Sequence, residues 1–214
     1  MLKLAVNDSR VTYIHIISGQ DIPVRSYTEF DKFFTNSDAI YMTCTPVQNS
    51  PDEIKRRLEN WIPFSNTDSR KRVVRCVNDL FYSCQKRMNL LRSKLGSFEK
   101  VYKGMVWCSF PIKTGRYIIE YNESHGEFIR QLMHTLVPEE FFFQTIVMNS
   151  PFQVDVIFRN LRYTDWSGKN GSRPSFLDET DYAAIMQSGD FFARKIDLQI
   201  SNKLLNEIIE RSKP

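Results

Sequence analysis

The sequence lacks the short signatures of the commonest nucleotide, cofactor and hydrolytic enzymes. It contains no Gly-x-x-x-x-Gly-Lys loop, no Gly-x-Gly-x-x-Gly turn, no Gly-x-Ser-x-Gly elbow and no His-Glu-x-x-His. It also contains no Asp-x-Asp, which weighs against paired carboxylates holding a divalent cation on a diphosphate. Cysteine is sparse: Cys44, Cys76, Cys84 and Cys108 form neither a Cys-x-x-Cys pair nor a zinc pattern with histidine. Reduced thiols in a cytoplasmic compartment, and no metal site, are therefore expected. No run approaches the roughly 20 apolar residues of a membrane span, and the apolar stretch at Met1–Val6 is too short for a signal peptide. That leaves room only for peripheral contact at the inner face of a membrane. Charge of one sign is lacking too. The 29 basic and 25 acidic residues are interspersed and sum to +4, so nucleic-acid binding is not implied.

What is present fits a globular chain of 214 residues, long enough for a single domain over 1–214. Residues 11–17 are branched and aromatic and predict a buried strand, ending in the polar turn Ser18-Gly19-Gln20-Asp21. Open α/β sheets put ligands at such strand ends. His15, inside the strand, is expected to pack in the core. A helix over 27–34 and a strand over 39–45 complete a β-α-β alternation, so the fold class predicted is α/β. A helix at 52–61 carries Lys55, Arg56 and Arg57, followed by Arg70, Lys71 and Arg72. These clusters suit a solvated face better than a phosphate site. Helical spacing over 73–94, stopping at Gly96, precedes a strand over 103–110 that holds Trp107, either core or a platform for a sugar ring. Helices are expected at 114–121, 127–135, 181–188 and 202–211, strand structure at 154–158 and after it, and a loop at 167–174.

One segment stands apart. Pro138 suits a first helical position, and Glu139 and Glu140 follow where the helix dipole favours negative charge. Phe141, Phe142, Phe143, Ile146, Val147 and Met148 then cover most of the helical wheel, predicting a helix buried nearly all round. A carboxylate entering a core costs several kcal/mol unless it is paired, hydrogen-bonded or facing a cleft. Ordinary capping explains both glutamates when the segment is taken alone.

Five motifs occur in order: Ser18-Gly19-Gln20-Asp21-x-Pro23, Gly104-x-x-Trp107, Pro138-Glu139-Glu140-Phe141-Phe142-Phe143-Gln144-Thr145, Asn160-Leu161-Arg162-Tyr163-x-Asp165-Trp166, and Phe192-Ala193-Arg194-Lys195-x-Asp197. In these the chain resembles the core-2/I-branching β-1,6-N-acetylglucosaminyltransferases, family 14 of the glycosyltransferases, and its bacterial members in style. The resemblance spans roughly residues 1–212. It implies a nucleotide-diphospho-sugar transferase fold of the GT-A type, a Rossmann-type sheet flanked by helices. It further implies inverting transfer of a hexosamine, by family default N-acetylglucosamine, from a UDP-sugar to a glycan hydroxyl, with neither metal nor cofactor.

Carried over by position, the resemblance makes Glu140 the general base. It puts Arg162 and Lys195 on the donor diphosphate, and Asp21, Trp107 and Trp166 around the sugar or acceptor. Glu139 stands where the family has Asp, and Met105 where it has Ser. Family members carry further nucleotide-binding strands before the Ser18 motif, so the sequence is expected to be an N-terminally truncated form. The alternative is an inactive carbohydrate-binding or scaffold domain.

Overall fold

Branched and aromatic runs form the strands, but each strand is shorter than its run. The computed structural model describes residues 1–62, 71–92, 95–98 and 100–212. The elements begin with α1 (Leu2–Asn7), β1 (Tyr13–His15), β2 (Asp21–Pro23), α2 (Tyr27–Phe34), β3 (Ile40–Met42), β4 (Thr45–Pro46), α3 (Asp52–Glu59) and α4 (Arg72–Arg87). They continue with β5 (Tyr102–Lys103), β6 (Cys108–Pro111), α5 (Ile112–Ser124), α6 (Gly126–Met133) and α7 (Glu139–Met148). The last are β7 (Val156–Ile157), β8 (Arg162–Thr164), α8 (Tyr182–Gln187), β9 (Phe192–Arg194) and α9 (Asn202–Ser212).

The expected α/β class is what forms, with mixed sheets. The first sheet runs β1-β6-β3-β7. Strands β1 and β3 are both antiparallel to β6, so they are parallel to each other with α2 between them in the chain. The β-α-β reading therefore has the right sense. The two strands are not neighbours, because β6 inserts between them, and within this sheet β3 and β7 are the pair that runs parallel. A second sheet runs β2-β9-β8, with Asp21 opposite Arg194 and Arg162 opposite Phe192. The run at 103–110 is not one strand. Lys103 pairs with Thr45 in a separate ribbon, Cys108 pairs with Met42, and Trp107 lies in the connection.

Helix α2 starts at a capping box, with Ser26 and Glu29 exchanging side-chain and backbone bonds. Helix α4 ends well before Gly96 because Asn89 takes a left-handed conformation, φ 55°. The Asn89 N–H then bonds to Lys86 and the Leu90 N–H to Gln85. The expected helix end at Lys94, the predicted break at Pro63 and Arg70 of the basic cluster lie outside the described residues.

Helix α7 is buried as its apolar wheel demands. Phe141, Ile146 and Val147 are wholly covered and pack with Ile40 and Met42 of β3, Phe110 of β6 and Phe128 of α6. Each such side chain contributes about 1.5–3 kcal/mol by leaving water. Around the second sheet, Val24, Leu177, Ile185, Ala193, Leu204 and Ile208 form a separate cluster. Phe34, Tyr41, Leu161, Phe191 and Phe192 form a third, with Tyr13 and Phe30 against it.

Candidate active site

The buried face of α7 fixes where its first turn points, and that turn separates the two glutamates. Glu139 is exposed, whereas the Glu140 side chain is about three-quarters covered. Two cations meet Glu140 Oε2: Arg57 Nη1 at 3.3 Å and Lys103 Nζ at 3.5 Å. Arg57 also holds Glu53 at 3.0 Å, one turn back on α3. Lys55 and Arg56 remain on the solvated face expected of this basic cluster, but Arg57 turns inward to the carboxylate.

The chain beside Glu140 comes close because Gly104 has no side chain. Its N–H donates to the Glu140 carbonyl at 2.9 Å, and a Cβ there would sit 1.8 Å from the Thr43 carbonyl oxygen. The next residue is tied on both sides. The Met105 N–H donates to Thr43 Oγ1 at 2.8 Å, and its carbonyl accepts from Gln144 Nε2 at 2.7 Å.

At its other end the same connection delivers Trp107 to the second sheet. There Asp21 accepts from the Ser18 N–H at 2.5 Å and hydroxyl at 2.7 Å, and pairs with Arg162 Nε at 2.9 Å. Both side chains of the ion pair are shut off from water, at 0% and 1% exposure. Arg162 also donates to the Ile16 carbonyl at 3.3 Å, while its Nη1 is buried without a hydrogen-bond partner. Burial pushes the Arg162 guanidinium below its ordinary range, against the pull of Asp21. Arg194 Nη1 bonds to Ser18 Oγ at 2.5 Å and lies 3.5 Å from Asp21. The two guanidiniums sit over the Trp107 ring at 5.2 and 4.6 Å from its centroid. His15 packs nearby, between Phe34 and Phe192, with Nδ1 2.9 Å from Ser109 Oγ. Burial, helped by the Arg162 charge, lowers its pKa to about 4, so it is a neutral core residue, as expected.

Lys195 follows Arg194 but leaves the strand on the other side. Its Nζ donates to Ser172 Oγ at 3.1 Å and stands 4.5 Å over the Phe176 ring. No carboxylate among the described residues is paired with it. Trp166 lies two residues past β8, half exposed, at the start of the turn where the Ser175 N–H bonds to the Asp165 carbonyl.

The structure thus joins Asp21, Arg162 and Trp107 in one cluster and puts Lys195 next to it in sequence. Glu140 lies at the far end of the Lys103–Trp107 connection, whose four residue-to-residue steps span at most about 14 Å. No recorded contact among the described residues joins Trp166 to the others. Arg57, Lys103 and Arg194 were not singled out from sequence. Lys103 and Arg194 lie inside or beside the quoted motifs and could have been marked there. Arg57 had no local signal.

A family model described as Core-2/I-Branching enzyme matches residues 1–191. Curated relatives include xylosyltransferase 2 of Mus musculus, 26% identical over 197 residues, which cover 83% of this chain and 23% of that protein. Xylosyltransferase 2 of Bos taurus is 23% identical over 213 residues, 91% of this chain and 25% of the relative. A Caenorhabditis briggsae xylosyltransferase is 22% identical over 224 residues, 94% and 25%. The chain spans about a quarter of the length of the curated relatives it matches. Since the family model takes in most of the chain, and Glu140, Asp21, Arg162 and Trp107 all fall inside the matched stretch, the chain belongs to the Core-2/I-Branching enzyme family.

Proposed function

We propose that this chain carries the acceptor-activating base of an inverting glycosyltransferase that moves a sugar from UDP to a glycan hydroxyl. Glu140 is the general base. The observation that carries this reading is the Glu140 carboxylate in the first turn of a helix, largely covered yet 26% exposed, held by Arg57 and Lys103 and with its backbone carbonyl bonded to Gly104. In the reaction the acceptor hydroxyl gives its proton to Glu140 as its oxygen bonds to the anomeric carbon. The bond from that carbon to the diphosphate oxygen breaks, and UDP leaves with the electron pair. Lys195, half buried and free of carboxylates among the described residues, suits the departing charge; Arg162 is given the same part by the resemblance, its side chain being shut off from water in the pair with Asp21. In this reading those cations take the charge-neutralising part without a metal ion. The resemblance favours N-acetylglucosamine as the sugar and the names of the relatives favour xylose. Competition between the two UDP-sugars in one assay decides which is used.

Glu140→Gln tests the base. It should lower transfer by about two to four orders of magnitude while UDP affinity stays unchanged. Turnover close to that of the unaltered protein would overturn the assignment.

A further inference from the structure

Helix α4 is inverted relative to an ordinary helix of a folded domain. Val73, Val77, Leu80, Phe81, Cys84 and Met88 recur at the three- and four-residue spacing of one helical face. That face, apart from half-buried Val77, is turned to water. Val73 is 74% exposed, Leu80 64%, Phe81 38% and Met88 67%, and Cys84 is exposed as well. The polar side faces the protein. Asp79 pairs with Arg56, whose guanidinium lies 4.2 Å over the Tyr82 ring. Gln85 donates to Asn60 Oδ1 at 2.7 Å and accepts from the Trp61 N–H at 2.9 Å. These bonds fix the orientation, so the apolar face is presented outward rather than left over.

The charge of the protein is concentrated on the same element. Residues 71–87 contain five bases, Lys71, Arg72, Arg75, Lys86 and Arg87, and one acid, Asp79. Removing them from the chain's 29 bases and 25 acids leaves 24 of each, so this helix and the Lys71 that caps it together match the entire net charge of +4. All five bases are exposed. An exposed apolar stripe with Arg87 at its edge, on a helix whose other sides carry Arg72, Arg75 and Lys86, complements a surface with an apolar interior and anionic headgroups.

We propose that α4 is an interfacial helix that lays its Val73–Leu80–Phe81–Met88 face into an anionic lipid surface. No helix among the described residues is long and apolar enough to cross a membrane, so this contact lies in the plane of the lipid. It also sets the attitude of the protein. The cleft of about 340 Å³ beside α4, lined by Arg56, Arg57, Arg75 and Asn78, is then held near the lipid by the same helix. Arg57 is the residue that links this cleft to Glu140.

The test is cosedimentation of the chain with phosphatidylcholine vesicles, with and without phosphatidylglycerol. Binding is expected only to the anionic vesicles. Leu80→Glu with Phe81→Glu, both on the exposed face, should reduce it about tenfold or more at unchanged helix content by circular dichroism. Arg72→Gln and Arg87→Gln should each reduce it about fivefold. Absence of binding to anionic vesicles, or equal binding by the Leu80→Glu/Phe81→Glu protein, would overturn the proposal. So would light scattering that shows a dimer which this double variant dissolves, since the apolar face would then belong to a second copy.

Discussion

At the scale of single residues, the Asp21–Arg162 pair is where the protein is least tolerant of change. Neither side chain is open to solvent, so each charge depends on the other and on the few donors around it. Removing one partner of a buried pair leaves an uncompensated charge, which costs about 3–5 kcal/mol. Asp21→Ala should therefore lower unfolding stability in urea by that amount. Asp21→Leu combined with Arg162→Met should recover most of the loss, because apolar side chains of similar volume need no counter-charge. The sequence marked both residues, through the resemblance, as contacts to the donor and sugar. Their mutual pairing was not legible, because they stand 141 positions apart and each is an ordinary polar residue in its own segment. Arg57 failed to stand out for the same reason. Beside Arg56 and Lys55 it looks like one base of a solvated cluster, and only the packing of α3 near the start of α7 turns it to Glu140.

At the scale of elements, the connection from Lys103 to Trp107 orders the site. It threads past β3 with the backbone of Gly104 against Thr43, a fit that excludes any side chain. Gly104→Ala should destabilise the protein by about 2 kcal/mol or more in thermal unfolding, since backbone would have to move. Gly19→Ala is the control. Nothing lies within 4 Å of a Cβ there, so its effect should stay within about 0.5 kcal/mol.

Elements with local signals were legible. Helix α2 has the predicted bounds of 27–34 because a capping box and an apolar pattern act within a few residues. The predicted strand at 103–110 broke into two because partners distant in sequence, Thr45 and Met42, claim its two ends. Helix α4 stopped early because Asn89 adopted the left-handed turn usually given to glycine.

At the scale of the whole molecule, rings join the two sheets beside the Arg162–Ile16 hydrogen bond. Phe34 of α2 contacts Tyr13 and His15 of β1 at centroid distances of 4.7 and 4.6 Å, and Phe191 beside β9 at 5.0 Å. It is 5% exposed, so Phe34→Ala should cost about 3–5 kcal/mol. The loss falls on the joint between the sheets. The variant should therefore separate the fluorescence and circular-dichroism transitions in urea that coincide in the unaltered protein.

The buried polar cluster also has an electrical consequence. Arg162 and Arg194 both lean on the single carboxylate of Asp21, and His15 beside them is neutral. One positive charge is therefore left over, set beneath an indole and largely out of reach of dissolved ions. Surface ion pairs fade once their separation approaches the screening length, about 8 Å at physiological salt. This buried arrangement does not fade in that way, so the pairing of Arg162 with Asp21 should depend far less on salt than the ion pairs of the surface.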